Sequence, residues 1–339
     1  MTLSRTPISE LGEKRLIAEM IKPMFNPEAR PEGVGDDCAL IPVGDEYVCV
    51  STDRVPADLI AFRLGIIGFE GLGYYLAVLN ISDIAACGGT PRALLLNLAL
   101  PSHFMVEDLR SILAGVCRAS KTYNVPVLGG DLSNSAEMSL VAVALGTVPK
   151  ASLLARSGAR PGHKLFCSKV VGLTPTAFAH LLRDRSEQAP LSSTELKRLT
   201  MNFSEPIAMV EFSSRLARMG ACSSAMDVTD GVAQSFLELA FASDCAFNLF
   251  AESLPIDPVS MKLAEEYERD VVDMVLGAGA DFQIVGTLDP DHSEYSAALK
   301  EVTIIGEVSE GEGLRLRRDA TSAPTEYLPS GWNYFSGTE

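Results

Sequence analysis

Apolar positions recur along the chain with two periods, one suited to helices and one to strands. Residues 10–25 (ELGEKRLIAEMIKPMF) show helical spacing, and Pro23 and Pro27 are expected to end that helix. Two strand-like runs follow at 38–43 (CALIPV) and 47–53 (YVCVSTD), parted by the turn residues Gly44 and Asp45. A long apolar helix is predicted over Gly71–Ala86 and stops at Cys87-Gly88-Gly89. The run 93–101 (ALLLNLALP) reads as a buried strand closed by Pro101, and Val106–Tyr123 as an amphipathic helix. Residues 125–131 (VPVLGGD) read as a strand running into a glycine turn, and 139–148 (SLVAVALGTV) as a further strand. Antiparallel strands with helices packed on one side make an α+β pattern.

The stretch 149–163 is rich in Pro, Gly and Ser, which marks a boundary between residues 1–148 and 149–339. A strand starts afresh at 165–172 (LFCSKVVG). The polar stretch 184–200 reads as a surface loop or linker, and 226–243 (MDVTDGVAQSFLELAFAS) as a turn followed by a helix. The tail after Gly311 is polar, and Trp332 lies close to its end.

A length of 339 residues agrees with two domains. The formal net charge of −16 argues against nucleic acid or an anionic membrane as partner, since both need a positive field. Seven cysteines are scattered with no CxxC pair, and they read as buried free thiols of a reducing compartment. The four histidines are equally dispersed, which gives little support to a histidine metal site. The first residues lack the apolar core of a signal peptide, and Leu64–Leu79 is too short to span a membrane and carries Glu70. A cytoplasmic location is expected.

Chemistry concentrates in aspartates. Asp36, Asp37, Asp53, Asp83, Asp131, Asp227 and Asp230 each stand where an apolar element meets a turn. One such aspartate alone is a cap or a turn former. Several brought together would repel unless cations neutralise them, and Mg²⁺ suits that task because it prefers oxygen ligands and bridges carboxylates to phosphates. Gly129-Gly130-Asp131 adds a backbone that can approach phosphate oxygens closely. Neither a P-loop nor a dinucleotide fingerprint is present.

These segments resemble the thiamine-monophosphate kinase branch of the aminoimidazole-ribonucleotide synthetase superfamily. Hydrogenase nitrile-forming maturation enzymes, selenophosphate synthetase and formylglycinamidine synthetase belong to the same superfamily. The resemblance rests on Gly33–Ala39 (GVGDDCA), Ser51-Thr52-Asp53, Asn80–Ala86 (NISDIAA) with Gly88, and Leu98–Pro101 (LALP). It continues through Leu128–Asp131 (LGGD), Ala155–Gly162 (ARSGARPG), Asp227–Gly231 (DVTDG), Ala242–Cys245 (ASDC) and Gly331–Phe335 (GWNYF).

The resemblance implies a two-domain α+β fold of aminoimidazole-ribonucleotide synthetase type. Residues 1–148 would bind ATP and Mg²⁺ and pair through their sheet in a homodimer, and 149–339 would complete the active site. It implies Mg²⁺ ligation by Asp37, Ser51, Thr52, Asp53, Asp83, Asp131, Asp227 and Asp230. ATP contacts would come from Tyr123, Gly129, Gly130, Asp131, Arg156 and Thr229, and catalysis would rest on Asp53, Asp131, Arg156 and Asp230. Trp332 would stack on a flat substrate ring. Where the family places a histidine or aspartate against its substrate, this chain has Ile60, with Asp58 nearby. Where the family has the first Glu of Gly-Gly-Glu-Asp-Tyr-Glu, this chain has Ala280. The segments Val170–Pro175 and Asn202–Pro206 depart from the family as well.

Three readings stay open at this stage. One is a kinase that uses ATP on a small-molecule acceptor, not necessarily thiamine monophosphate. Another is an ATP-dependent activator of an amide or carboxylate. The last is a nucleotide-binding protein without catalysis.

Overall fold

Small and branched residues alternate through Ser139–Pro149, and every second one from Leu140 to Val148 is buried. A strand of that kind turns one face to a core. The structure, a computed structural model, describes residues 7–25, 34–56 and 58–329. Ser139–Pro149 is β5, the middle of a sheet formed with β1 (Ala39–Val43), β2 (Glu46–Arg54), β3 (Thr90–Leu100) and β4 (Val127–Asn134). The order is β1-β2-β5-β3-β4. Gly44 and Asp45 turn β1 into β2, with Val43 opposite Glu46. All neighbours are antiparallel except β3 and β4, which are parallel and joined through the helix Val106–Tyr123.

The helix Phe69–Ala86 lies on this sheet and is buried at every position from Leu72 to Ala86. Apart from Asn80, Ser82 and Asp83, its buried stretch is mainly apolar on every face, as a helix enclosed on all sides requires. The helix Val106–Tyr123 covers it and buries only Ile112, Gly115, Val116 and Ala119. Glycines bring the two backbones together. A Cβ on Gly73 would fall 1.9 Å from the Ile112 carbonyl oxygen, and one on Gly115 would fall 1.9 Å from that of Glu70.

The second sheet contains β6 (Lys164–Cys167), β7 (Cys222–Asp227), β8 (Ala246–Phe250), β9 (Ile284–Leu288), β10 (Thr303–Ser309), β11 (Gly313–Arg317) and β12 (Thr325–Glu326). Its order is β12-β11-β8-β10-β6-β9-β7. Ala177, Leu199, Phe203 and Leu263, from helices of this second half, share one apolar core with Leu76, Leu79 and Ala142 of the first. No helix among the described residues is long and apolar enough to cross a membrane. The cysteines are free; Cys38, Cys49, Cys87, Cys167 and Cys245 are buried, whereas Cys117 is exposed and Cys222 half-buried.

Several expectations need correction. Residues 8–25 are helical with a break at Gly12, and Pro23 lies within the last turn instead of ending it. The π-turn Ile17–Ile21 just before it widens the helix where a backbone N–H is missing. Pro27 lies outside the described residues. The polar stretch 184–200 is in part helical, since Ser193–Ser204 is a helix opened by a capping box between Ser192 and Glu195. The strand expected at 165–172 ends at Cys167, and Gly172 at φ 75° leads into the helix Leu173–Leu181. Gly129-Gly130-Asp131 is not a turn but the middle of β4. Gly130 is required there by close approach, because a Cβ would lie 1.7 Å from the Leu96 carbonyl oxygen of β3.

The helix contact gives a direct test. Gly115→Ala is expected to destabilise the protein by about 1–3 kcal/mol through overpacking, against an intrinsic helix preference of about 1 kcal/mol in favour of alanine. Gly68→Ala has open space around the new methyl and should stay within about 0.5 kcal/mol. Urea unfolding of the two variants measures the difference, and equal stabilities would refute the close contact.

Candidate active site

Ser51 and Asp53 are two residues apart on β2, so they share a face. Asn80, on the helix Phe69–Ala86, pins that end of the strand. Its Oδ1 accepts the Asp53 N–H at 2.8 Å, and its Nδ2 donates to the Leu76 carbonyl at 2.9 Å. One turn on, Asp83 accepts the Ser51 hydroxyl, and the adjacent Ser82 donates its hydroxyl to Asp227 at the end of β7. Ser82 and Asp83 thus bind the ends of both sheets to one helix.

Asp37, Asp83 and Asp227 each place a carboxylate oxygen within 4.8 Å of the others. Asp37 Oδ1 accepts from Arg156 Nε at 3.2 Å and Nη2 at 2.5 Å. Asp37 Oδ2 is buried and has no hydrogen-bond partner among the described residues. Burial raises the Asp37 carboxyl to about 6, with Arg156 opposing and Asp36 adding to the shift. Burial and then the Asp37 charge raise Asp227 to about 8. Burial first, and Asp230 next, bring Asp53 to about 6. Asp83 is raised too, by burial and then by Asp227. A buried carboxylate oxygen without a donor is costly. The donor set is all oxygen, and one of its residues keeps an unpartnered buried oxygen, so a hard divalent cation fits it.

A second layer of charge surrounds the trio. Arg156 Nη1 reaches Glu238 Oε2 at 2.7 Å. Lys14 Nζ stands 2.7 Å from Asp230 Oδ2 and 2.7 Å from Glu238 Oε1. Burial works against ionisation of Glu238, but Lys14 and Arg156 outweigh it and hold its carboxyl below the usual range. Asp36 accepts the backbone N–H of Arg156 at 3.0 Å and that of Asp37 at 2.9 Å, which draws the segment between the sheets back over the site. Lys14 and Glu238 were not among the residues expected from the sequence. Glu238 did leave a signal, as a single acid in the apolar helix Val232–Ser243. Lys14 left none, because Asp230 lies 216 residues away.

The trio, with Asp36, Asp53, Arg156 and Asp230, lines a cavity of about 700 Å³. Of the expected residues it gathers Asp37, Ser51, Thr52, Asp53, Asp83, Arg156, Asp227, Thr229 and Asp230, together with Asp58, Ile60 and Ala280. The Thr52 hydroxyl is turned away to donate to the Ala142 carbonyl at 3.1 Å. Gly129, Gly130 and Asp131 are not among the lining residues; they stand exposed on the edge strand β4. Tyr123 belongs to a second cavity of about 900 Å³, and its hydroxyl accepts the Ala208 N–H at 2.9 Å. Trp332 lies outside the described residues.

Apolar side chains, among them Leu59, Phe178 and Phe203, complete the wall beside Ile60 and Ala280. Behind them sits Asp281, which sequence reasoning did not select. It is buried and accepts from the backbone of Gly172 at 2.6 Å and of Thr174 at 3.0 Å, and from Asn202 Nδ2 at 2.9 Å. Its oxygens are satisfied within the protein.

The model of the AIR synthase related protein N-terminal domain matches residues 35–148, and that of the C-terminal domain matches 160–319. The chain belongs to the AIR synthase related family. Thiamine-monophosphate kinase of Synechococcus elongatus is 30% identical over 325 residues, covering 93% of this chain and 94% of the relative. That of Bacillus subtilis is 30% identical over 314 residues, covering 89% and 93%. Among solved structures, AaThiL complexed with AMPPCP and TMP superposes with a TM-score of 0.83 at 25% identity, covering 98% of this chain and 100% of that one. The HypE-HypF complex reaches a TM-score of 0.70 at 19% identity, covering 92% and 99%, a likeness of fold alone.

Both matched domains of this AIR synthase related chain contribute to the trio, Asp37 and Asp83 from the first and Asp227 from the second. Arg156 falls in the connection between them. The raised carboxyls set a pH dependence. Without metal, the folded protein holds these protons more tightly than the unfolded chain does. Their stabilising contribution is complete below the ordinary carboxylate value and is lost as pH rises through about 6 for Asp37 and Asp53 and about 8 for Asp227. In EDTA the melting temperature should therefore fall between about pH 5 and about pH 8, and excess Mg²⁺ should restore it most at the upper end. A metal-free melting temperature that stays level over that range would count against the buried carboxylate cluster.

Proposed function

We propose that the chain is a Mg²⁺-dependent phosphotransferase that moves the γ-phosphate of ATP to a small acceptor bearing a phosphate. The observation that supports this most is the Asp37–Asp83–Asp227 trio, with its orphaned oxygen, in a cavity of ligand size. Asp37, Asp83 and Asp227 would hold Mg²⁺, which would supply positive charge for phosphoryl transfer. The Ser51 and Ser82 hydroxyls fix the orientation of Asp83 and Asp227. Arg156 is locked by Asp37 and Glu238 and presents a preorganised charge to the cavity, where negative charge builds on a transferring phosphoryl group. A phosphate acceptor needs no general base, and no histidine is among the described residues that line the cavity.

Residues 1–148 are assigned the ATP, metal and pairing roles, and residues 149–339 complete the site. Gly129, Gly130, Asp131 and Tyr123 can serve ATP only if the edge of β4 is covered. All eight residues of β4 are exposed, and an open edge of that kind invites pairing. We infer that a second copy of the chain lies against it.

The relatives are named for thiamine monophosphate. On this chain Ile60 and Ala280 are uncharged, the neighbouring Asp58 is exposed, and Asp281 is occupied by Gly172, Thr174 and Asn202. Among the described residues beside Ile60 and Ala280 a cationic thiazolium ring finds no buried counter-charge, so the acceptor proposed is a phosphate with an uncharged ring. The same wall also favours a second reading, in which ATP activates an amide or carboxylate.

A product assay by mass spectrometry with Mg²⁺, ATP and a panel of acceptors separates these readings. A phosphorylated product from a neutral-ring phosphate supports the first. Efficient formation of thiamine diphosphate would overturn the acceptor assignment, and ADP with phosphate and an amidine, nitrile or cyclised product would favour the second. Asp53→Asn and Asp131→Asn are each expected to lower turnover by at least ~100-fold while the protein stays folded by circular dichroism. Turnover near that of the parent in either variant would remove the metal assignment.

A further inference from the structure

The acidic shell of the cavity divides into two parts. Asp37, Asp83 and Asp227 face one another and leave a buried oxygen unpartnered. Asp230 and Glu238, a short distance along the chain from Asp227, are already bridged by a single ammonium group. Lys14 Nζ lies 2.7 Å from Asp230 Oδ2 and 2.7 Å from Glu238 Oε1, the geometry of two charge-assisted hydrogen bonds. The other oxygen of Glu238 is taken by Arg156. Paired with two carboxylates, Lys14 is a unit of positive charge attached to the helical residues before the first sheet.

An ammonium group and a divalent cation make opposed demands on Asp230. Mg²⁺ needs its carboxylate oxygens at about 2.0–2.1 Å in a strict shell and carries two charges. Nζ at 2.7 Å from Asp230 Oδ2 already occupies that oxygen and repels a second cation beside it. We propose that Lys14 is a built-in monovalent cation that replaces a divalent ion at Asp230, so that the chain binds fewer divalent ions than its carboxylates could hold. Asp230 is then the counter-ion of Lys14 and not a metal ligand, against the expectation from resemblance. The inference rests on the reading of Asp37, Asp83 and Asp227 as a cation site.

Mn²⁺ is the probe, with the free ion followed by electron paramagnetic resonance during titration of the full chain. Lys14→Met keeps the aliphatic stem and removes the charge. It is expected to bind one further equivalent of Mn²⁺ per chain, and adding Asp230→Asn should abolish the gain. Lys14→Arg keeps the charge and should match the parent. Asp230→Asn alone, in a chain that retains Lys14, should leave the number of Mn²⁺ ions unchanged, a result that does not depend on the lysine variants folding well. An unchanged count in Lys14→Met, or the loss of an ion in Asp230→Asn alone, would overturn the proposal while leaving the trio intact. No Mn²⁺ bound by the parent would overturn the cation reading of the trio and this inference with it.

Discussion

Three carboxylates buried within 4.8 Å of one another repel, and much of this structure is arranged to hold them there. The scaffold is the helix Phe69–Ala86, enclosed on all sides, whose polar residues Asn80, Ser82 and Asp83 are all spent on the site. Asn80 fixes the end of β2, Ser82 fixes Asp227 at the end of β7, and Asp83 joins the trio. A surface helix could shift to relieve the repulsion. This one cannot, because Gly73 and Gly115 let the helix Val106–Tyr123 press directly on its backbone. Charge relief therefore has to come from ions and neighbouring cations, and Arg156 and Lys14 supply part of it.

Much of the first domain was legible because its signals are local. The alternation in β5 and the apolar stripe of Val106–Tyr123 are periodicities, and Gly44-Asp45 and Cys87-Gly88-Gly89 are short-range turn and stop signals. The capping box of Ser192 and Glu195 was equally local, and the surrounding polarity masked it. Gly129-Gly130 misled for a different reason. Glycine frees a backbone to turn, but it also lets one strand approach another, and only the tertiary position of Leu96 distinguishes the two.

The site was legible as a set of aspartates and illegible as a set of partnerships. Which carboxylates face one another depends on contacts across the whole chain, as between Ser82 and Asp227, and no spacing rule reports these. The resemblance to relatives supplied the candidates. It could not supply Lys14, whose role exists only in the company of Asp230 and Glu238. Nor could it show that the cavity of a single chain omits Asp131 and Tyr123.

Asp281 has a consequence for how this site could be redesigned. One carboxylate ties together Gly172, Thr174 and Asn202, which lie in two segments that the resemblance marks as departures from the family pattern, and Asp281 itself lies in a third. Gln283 adds to the bundle by bonding the backbone of Lys169 and Val170. Side chains so interlocked do not drift one at a time, because a change in any one strands the donors of the others. Transplanting a single acidic residue into the wall would be a poor route to converting one specificity into another, whereas exchanging the three segments together would carry their mutual hydrogen bonds along.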